Sequence, residues 1–146
     1  MSEAVIQISE LEVTYGTKSV LNGVNLDVSA GSIYGFLGTN GAGKTTTIKT
    51  LLGLMKPDKG TCRILGMNVG SQALDIRRKV GYMAEEQKMN GWMKGDQIID
   101  WVGSFYPQWD SKFTKHLLEV LSLDAKQKVK HLSKGQNSKL ALLLAL

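Results

Sequence analysis

Nine residues constrain this chain more than any others: "GTNGAGKTT", residues 38–46. Gly38, Gly43, Lys44 and Thr45 fit the spacing G-x-x-x-x-G-K-[ST]. Directly before them stands "IYGFL" (33–37), a continuous apolar run of the kind found in a strand buried on both faces. After them Ile48, Leu51, Leu52 and Met55 fall at i, i+3, i+4, i+7, one face of a helix. Strand, glycine-rich loop and helix in that order make an anion trap. Gly38, Gly41 and Gly43 carry no side chain to shield the backbone, so successive N–H groups, those of Asn40, Gly41 and Ala42 among them, can turn inward. The helix beginning near Gly43 adds its positive dipole end. Lys44 brings a full charge for the β- and γ-phosphates of a nucleotide, and the Thr45 hydroxyl is placed to ligate Mg2+.

The flanking sequence supplies the frame. Ile6, Ile8, Leu11, Val13 and Tyr15 alternate with polar residues, and so do Val24, Leu26 and Val28, as half-buried strands or a hairpin do. "SAG" (29–31) reads as a turn. "KPDKG" (56–60) ends the helix after the loop, "TCRIL" (61–65) reads as a strand, Gln72 to Lys79 as a short helix, and "VGYM" (80–83) as another strand. Beyond Met83 helical spacing takes over. Asp96 is a cap for a helix carrying Ile98, Val102 and Phe105, and Asp110 or Ser111 for one carrying Phe113, Leu117, Val120 and Leu121. Trp92, Trp101 and Trp109 read first as core or half-buried packing residues, His116 and His131 as surface or helix-end residues.

At 146 residues with 42% hydrophobic content the chain is long enough for a real core. The longest apolar run, Leu140 to Leu146, is too short to cross a bilayer, and "MSEAVIQISE" lacks the basic start of a secretory signal. A cytoplasmic location is the expectation. Cys62 is the only cysteine, which excludes an internal disulfide and leaves a buried structural thiol. The net charge of +5 suits an anionic partner, and part of the excess sits at Lys126, Lys128, Lys130 and Lys134, a cluster whose default reading is a solvated basic face.

Near the end comes "LSKGQ" (132–136). Ser133 with Gln136 three residues on is a capping box, which makes a rigid helix N-terminus. With the phosphate loop, this segment makes the chain resemble the ATP-binding subunit of an ABC transporter, from about Ile6 to Leu146. "LSKGQ" resembles the family's LSGGQ signature, with Lys134 in place of a glycine. The fold so implied is α/β: a P-loop NTPase core with an N-terminal antiparallel β part and a helical subdomain. Its divisions are 1–83 for the nucleotide-binding core, 84–132 for a loop and the helical subdomain, and 132–146 for the signature and the start of its helix.

The resemblance also implies roles. Tyr15, in "VTYG", matches the aromatic residue that stacks on adenine, and Thr46 the residue beside the α-phosphate. Ser133, Gly135 and Gln136 would face the γ-phosphate held by the P-loop of a second ATPase subunit in a head-to-tail dimer. "VGYMAEEQ" (80–87) matches the strand and loop where the family places a glutamine that contacts Mg2+ or the attacking water. Here Glu85 holds that position and Gln87 lies two residues on, so either is a candidate for the role. The family's acidic strand, with an Asp for magnesium and a Glu as general base, and its switch His would follow Leu146. The chain is therefore expected to be truncated before the acidic catalytic strand, and to lack ATP turnover by itself. "FYPQWD" (105–110) resembles ABC-2-type exporters of Gram-positive bacteria. The implied function is ATP hydrolysis coupled to substrate movement by a separate transmembrane permease subunit, at the inner face of the membrane and without direct nucleic-acid contact. The three tryptophans would then be candidates for the groove receiving a coupling helix. A soluble ABC-type ATPase acting on nucleic acid or ribosomes, and an inactive nucleotide-binding fragment, are the alternative readings.

Overall fold

A computed structural model describes residues 4–86 and 88–146. The chain divides into two compact units, Met1–Lys79 and Val80–Leu146.

The first unit is built on a four-stranded antiparallel sheet in the order β2-β1-β3-β4: β1 Ala4–Tyr15, β2 Lys18–Ser29, β3 Lys59–Ile64 and β4 Met67–Asn68. The period-2 pattern sets the register on either side of an irregularity between Ile8 and Leu11, where Glu10 takes φ 48° and brings Leu11 and Val13 to the same buried side as Ile8. Ile8 lies opposite Leu26 on one side and Cys62 on the other, and Val13 opposite Leu21. Slipping either pairing by one residue would turn Ile8, Leu11 and Val13, all buried, out to water. The β1–β2 turn is two residues long, and Gly16 takes φ 59° at its first position, where a tight hairpin needs glycine. Helix α1 (Lys44–Leu51) buries Thr47, Thr50 and Leu51, and α2 (Val69–Arg77) buries Val69 and Ile76. The Asn68 side chain caps α2 by accepting from Gly70 N at 2.8 Å. Cys62 is buried, and desolvation pushes its thiol pKa above the ordinary value.

The second unit is helical: α3 Gly95–Gly103, α4 Ser111–Val120, a 3-10 turn Val129–His131 and α5 Lys134–Ala145. Ile98, Ile99, Val129, Leu140 and Leu143 form its core, with Leu117, Leu118 and Leu121 of α4 and its end packed against them. Burying side chains of this size is worth about 1.5–3 kcal/mol each. Asp110 caps α4 as the sequence suggests, its Oδ1 accepting from Lys112 N at 2.8 Å and Phe113 N at 2.9 Å.

Five local expectations are corrected. Residues 33–37 form no strand, and Ile33 and Leu37 are 104% and 92% exposed. An apolar run becomes a central strand only through neighbours that take its backbone bonds, and β1 to β4 are paired with one another. Residues 80–83 likewise form no strand, with Tyr82 and Met83 exposed. Helix α1 ends at Leu51 and turns Thr47 and Thr50 inward, while Ile48 is exposed. Two hydroxyl bonds make this possible: Thr47 Oγ1 donates to Gly43 O at 3.0 Å and Thr50 Oγ1 to Thr46 O at 2.9 Å. Asp96 lies in the first turn of α3, and the capping position belongs to Lys94. Lysine has no acceptor to cap with, so Gln97 Oε1 instead takes the Lys94 N–H at 2.9 Å. Finally, Trp92 and Trp101 are 69% and 56% exposed, so neither packs in a core.

Candidate nucleotide-binding site

The loop between Gly38 and Gly43 is exposed up to Ala42 and buried at Gly43. Gly41 and Gly43 take φ of 85° and 88°, which alternates the peptide directions and lets N–H groups converge. Ala42 N donates to Thr39 O at 3.2 Å and closes the turn. Gly43 then starts α1 as an N-cap with no side-chain cap bond and no acid in the first turn. The N–H groups of that turn have no acceptor within the helix and are left for an anion. Thr47 N donates to Gly43 O at 2.9 Å.

Lys44 curls back over the loop. Its Nζ donates to Gly38 O at 2.6 Å and Thr39 O at 2.8 Å. The ammonium is thus held above the nest by neutral carbonyls, which a phosphate oxygen would outcompete. Thr45 is exposed and Thr46 half-buried. This arrangement fits a bound polyphosphate: a charge, converging donors and open space on one side. Asn40 stands exposed in the loop.

The first unit also holds Tyr15, at the end of β1. Its ring is half-exposed and its hydroxyl donates to Met55 Sδ at 3.3 Å. Two residues back, Val13 pairs with Leu21, and Leu21 is the side chain against which Gly43 closes. Tyr15 therefore lies roughly 7 Å along the strand from the wall of the loop. Sequence reasoning missed Leu21 and Val20 as that wall, and a glycine's close approach leaves no signal on the residues it approaches. It also missed Asp58, whose Oδ2 accepts from Thr14 N at 2.7 Å and pins the strand end that carries Tyr15. The "PD" pair (57–58) is a turn signal that could have pointed there.

The remaining candidates belong to the second unit. Ser133 and Gln136 form the reciprocal capping box: Ser133 N donates to Gln136 Oε1 at 2.8 Å and Gln136 N to Ser133 Oγ at 3.2 Å. Lys134 and Gly135 open the helix beside them, exposed. Glu85 is exposed, and its neighbour Glu86 pairs with Lys88 at 3.8 Å. Gln87 lies outside the described residues. Among the described residues no cluster of three or more His, Cys, Asp or Glu could hold a metal by itself, and no helix is long and apolar enough to cross a membrane.

A glycine nest at the head of a helix, spanned by a lysine, defines a P-loop nucleotide-binding protein. The chain belongs to the ABC transporter family, whose model matches residues 21–146. It is similar to the Nod factor export ATP-binding protein I of Burkholderia lata, 38% identical over all of this chain and 50% of that protein. It is also similar to the bacitracin transport ATP-binding protein of Bacillus licheniformis, 44% identical over 56% of this chain and 26% of that one. Among solved structures, an ATP-binding subunit of an ABC transporter superposes with a TM-score of 0.86 at 26% identity, over 97% of this chain and 61% of the other. The chain spans about half the length of the curated relatives it matches end to end.

Proposed function

We propose that this chain is the nucleotide-binding part of an ABC exporter's ATPase subunit. It binds ATP with Mg2+ and works at the inner face of the membrane with a transmembrane permease subunit and a second ATPase subunit arranged head to tail. The observation that carries the reading is Lys44 Nζ poised over the Gly38–Gly43 loop. In this reading residues 1–83 form the nucleotide-binding core, 84–132 a loop and helical subdomain, and 132–146 the signature and its helix. Gly38, Asn40, Gly41, Ala42, Gly43, Lys44, Thr45 and Thr46 hold the phosphates, and Tyr15 stacks on the base. Thr45, with Glu85 or Gln87, faces the metal. Magnesium, when bound, neutralises charge on the phosphate oxygens. Ser133, Gly135 and Gln136 serve the partner subunit's nucleotide. Transport is favoured over action on nucleic acid because relatives carry export and transport names.

The test is Lys44→Ala, read by titration with a fluorescent ATP analogue. Losing a charge-assisted contact should weaken binding by about ten- to a hundredfold. An unchanged dissociation constant would refute the assignment of the loop.

A further inference from the structure

The second unit carries a basic stripe that the nucleotide site does not use. Residues 91–96 and 125–130 run antiparallel: Asp96 N donates to Ala125 O at 2.8 Å, Gly95 N to Gln127 O at 3.1 Å, Val129 N to Met93 O at 2.9 Å and Lys130 N to Gly91 O at 3.0 Å. Burial alternates along both segments. Ala125, Gln127 and Val129 are shielded and Met93 packs against the core cluster, while Lys126, Lys128 and Lys130 on one segment, and Trp92 and Lys94 on the other, are exposed. Lys94 and Lys128 face each other at an isolated antiparallel bridge, and Trp92, Lys126 and Lys130 stand exposed in the turns and 3-10 segment that flank it, so the hydrogen-bonded pairing brings the five exposed residues close together.

Lys94 and Lys128 are direct cross-strand partners, an arrangement of like charges that costs stability. Among the described residues the ion pairs are Lys59–Glu12, Arg78–Asp75 and Lys88–Glu86, so none neutralises this face. The nearest carboxylates in sequence, Asp96 and Asp124, accept backbone N–H bonds from Gln97 and Lys126. None of these lysines is held in an ion pair among the described residues, and an exposed indole stands beside them. Lysines beside a water-exposed tryptophan match the chemistry of the lipid interface, where ammonium groups meet headgroup phosphates and the indole sits at headgroup level.

We propose that Trp92, Lys94, Lys126, Lys128 and Lys130 form a contact for anionic lipid headgroups. The choice of lipid over other polyanions rests on the membrane role proposed above. The test is co-sedimentation of the protein with phosphatidylcholine vesicles and with vesicles containing phosphatidylglycerol as well, with ATP-analogue binding measured in parallel. Binding is expected only to the anionic vesicles and should fade as salt rises. Lys126→Gln/Lys128→Gln/Lys130→Gln should weaken it about a hundredfold while leaving nucleotide affinity unchanged. Trp92→Ala should weaken it without changing its salt dependence. Equal binding to neutral vesicles, no binding to either kind, or tighter binding to duplex nucleic acid would overturn the proposal on the unmodified protein alone. So would a folded triple variant that binds like the parent. Loss of nucleotide binding by the unmodified protein would instead count against the proposed function.

Discussion

Replacing Gly43 with alanine should damage this protein far more than replacing Gly41, although both glycines sit in the same loop at nearly the same φ, 88° and 85°. A side chain at such a φ costs about 1–2 kcal/mol, a penalty the two positions share. They differ in what a new methyl would meet. At Gly41 there is nothing within 4 Å. At Gly43 a Cβ would overlap Leu21 Cδ2 and lie 3.1 Å from Val20 O. Leu21 is buried between strand and helix and cannot swing into water to make room. Overpacking of this kind costs about 1–3 kcal/mol. Gly43→Ala should therefore lose about 2–5 kcal/mol and Gly41→Ala about 1–2 kcal/mol. Urea unfolding of the three proteins, compared at a shared m value, reads the difference directly. Equal midpoints for the two variants would refute the argument, because they would mean that Gly43 does not close against Leu21.

Tyr15→Ala should weaken adenine nucleotides by about 1–2 kcal/mol, the scale of base–aromatic stacking, while Tyr15→Trp should be tolerated; an unchanged ATP dissociation constant on the alanine variant would make Tyr15 only a packing residue. Ser133→Ala removes the acceptor for Gln136 N and should cost about 1 kcal/mol of stability. It should spare nucleotide binding by a lone subunit and stop ATP-driven dimerisation, as sizing chromatography with and without nucleotide would show. For Cys62, burial raises the folded pKa above the ordinary thiol value of 9.0. Its contribution to stability is whole below that value and is lost as pH rises through the folded pKa, because the unfolded thiol ionises first. Denaturation midpoints should fall more steeply above pH 9.0 in the parent than in Cys62→Ala; parallel curves would exclude the effect.

The parts of the fold that could be read in advance were those decided by the chain next to them. The β1–β2 hairpin follows from two alternating runs joined by Gly16, and the start of α4 from one aspartate at the right place. Residues 33–37 show the opposite case. Their apolar run states a wish to be buried on both faces, but a parallel strand is made by its neighbours, and β1 to β4 pair among themselves and not with residues 33–37. Helix α1 misled for a related reason. Its apolar spacing favoured Ile48, while the hydroxyls of Thr47 and Thr50 returned to the helix backbone and let those residues turn inward. Side-chain polarity alone does not say whether a hydroxyl will bond its own helix, so Thr47 and Thr50 were missed and Ile48 misplaced, while Leu51 and Leu52 are buried as the spacing implies.

The shape of the glycine-rich loop was legible because everything it needs lies within nine residues. Positive φ is nearly a glycine property, and glycines stand where the chain must turn its N–H groups inward. The lysine one step into the helix is long enough to reach back to Gly38 and Thr39. The Ser133–Gln136 box was legible for the same reason, since three residues of spacing fix both of its bonds. The lysine stripe was seen in sequence only as scattered charge. Its meaning depends on residues 91–96 lying beside 125–130, a pairing across some thirty positions that no local pattern announces. Once that pairing is in place, two lysines face each other with no acid between them. Like charges held together at a surface are where an anionic partner would gain most, and the proposed lipid contact rests on that pairing.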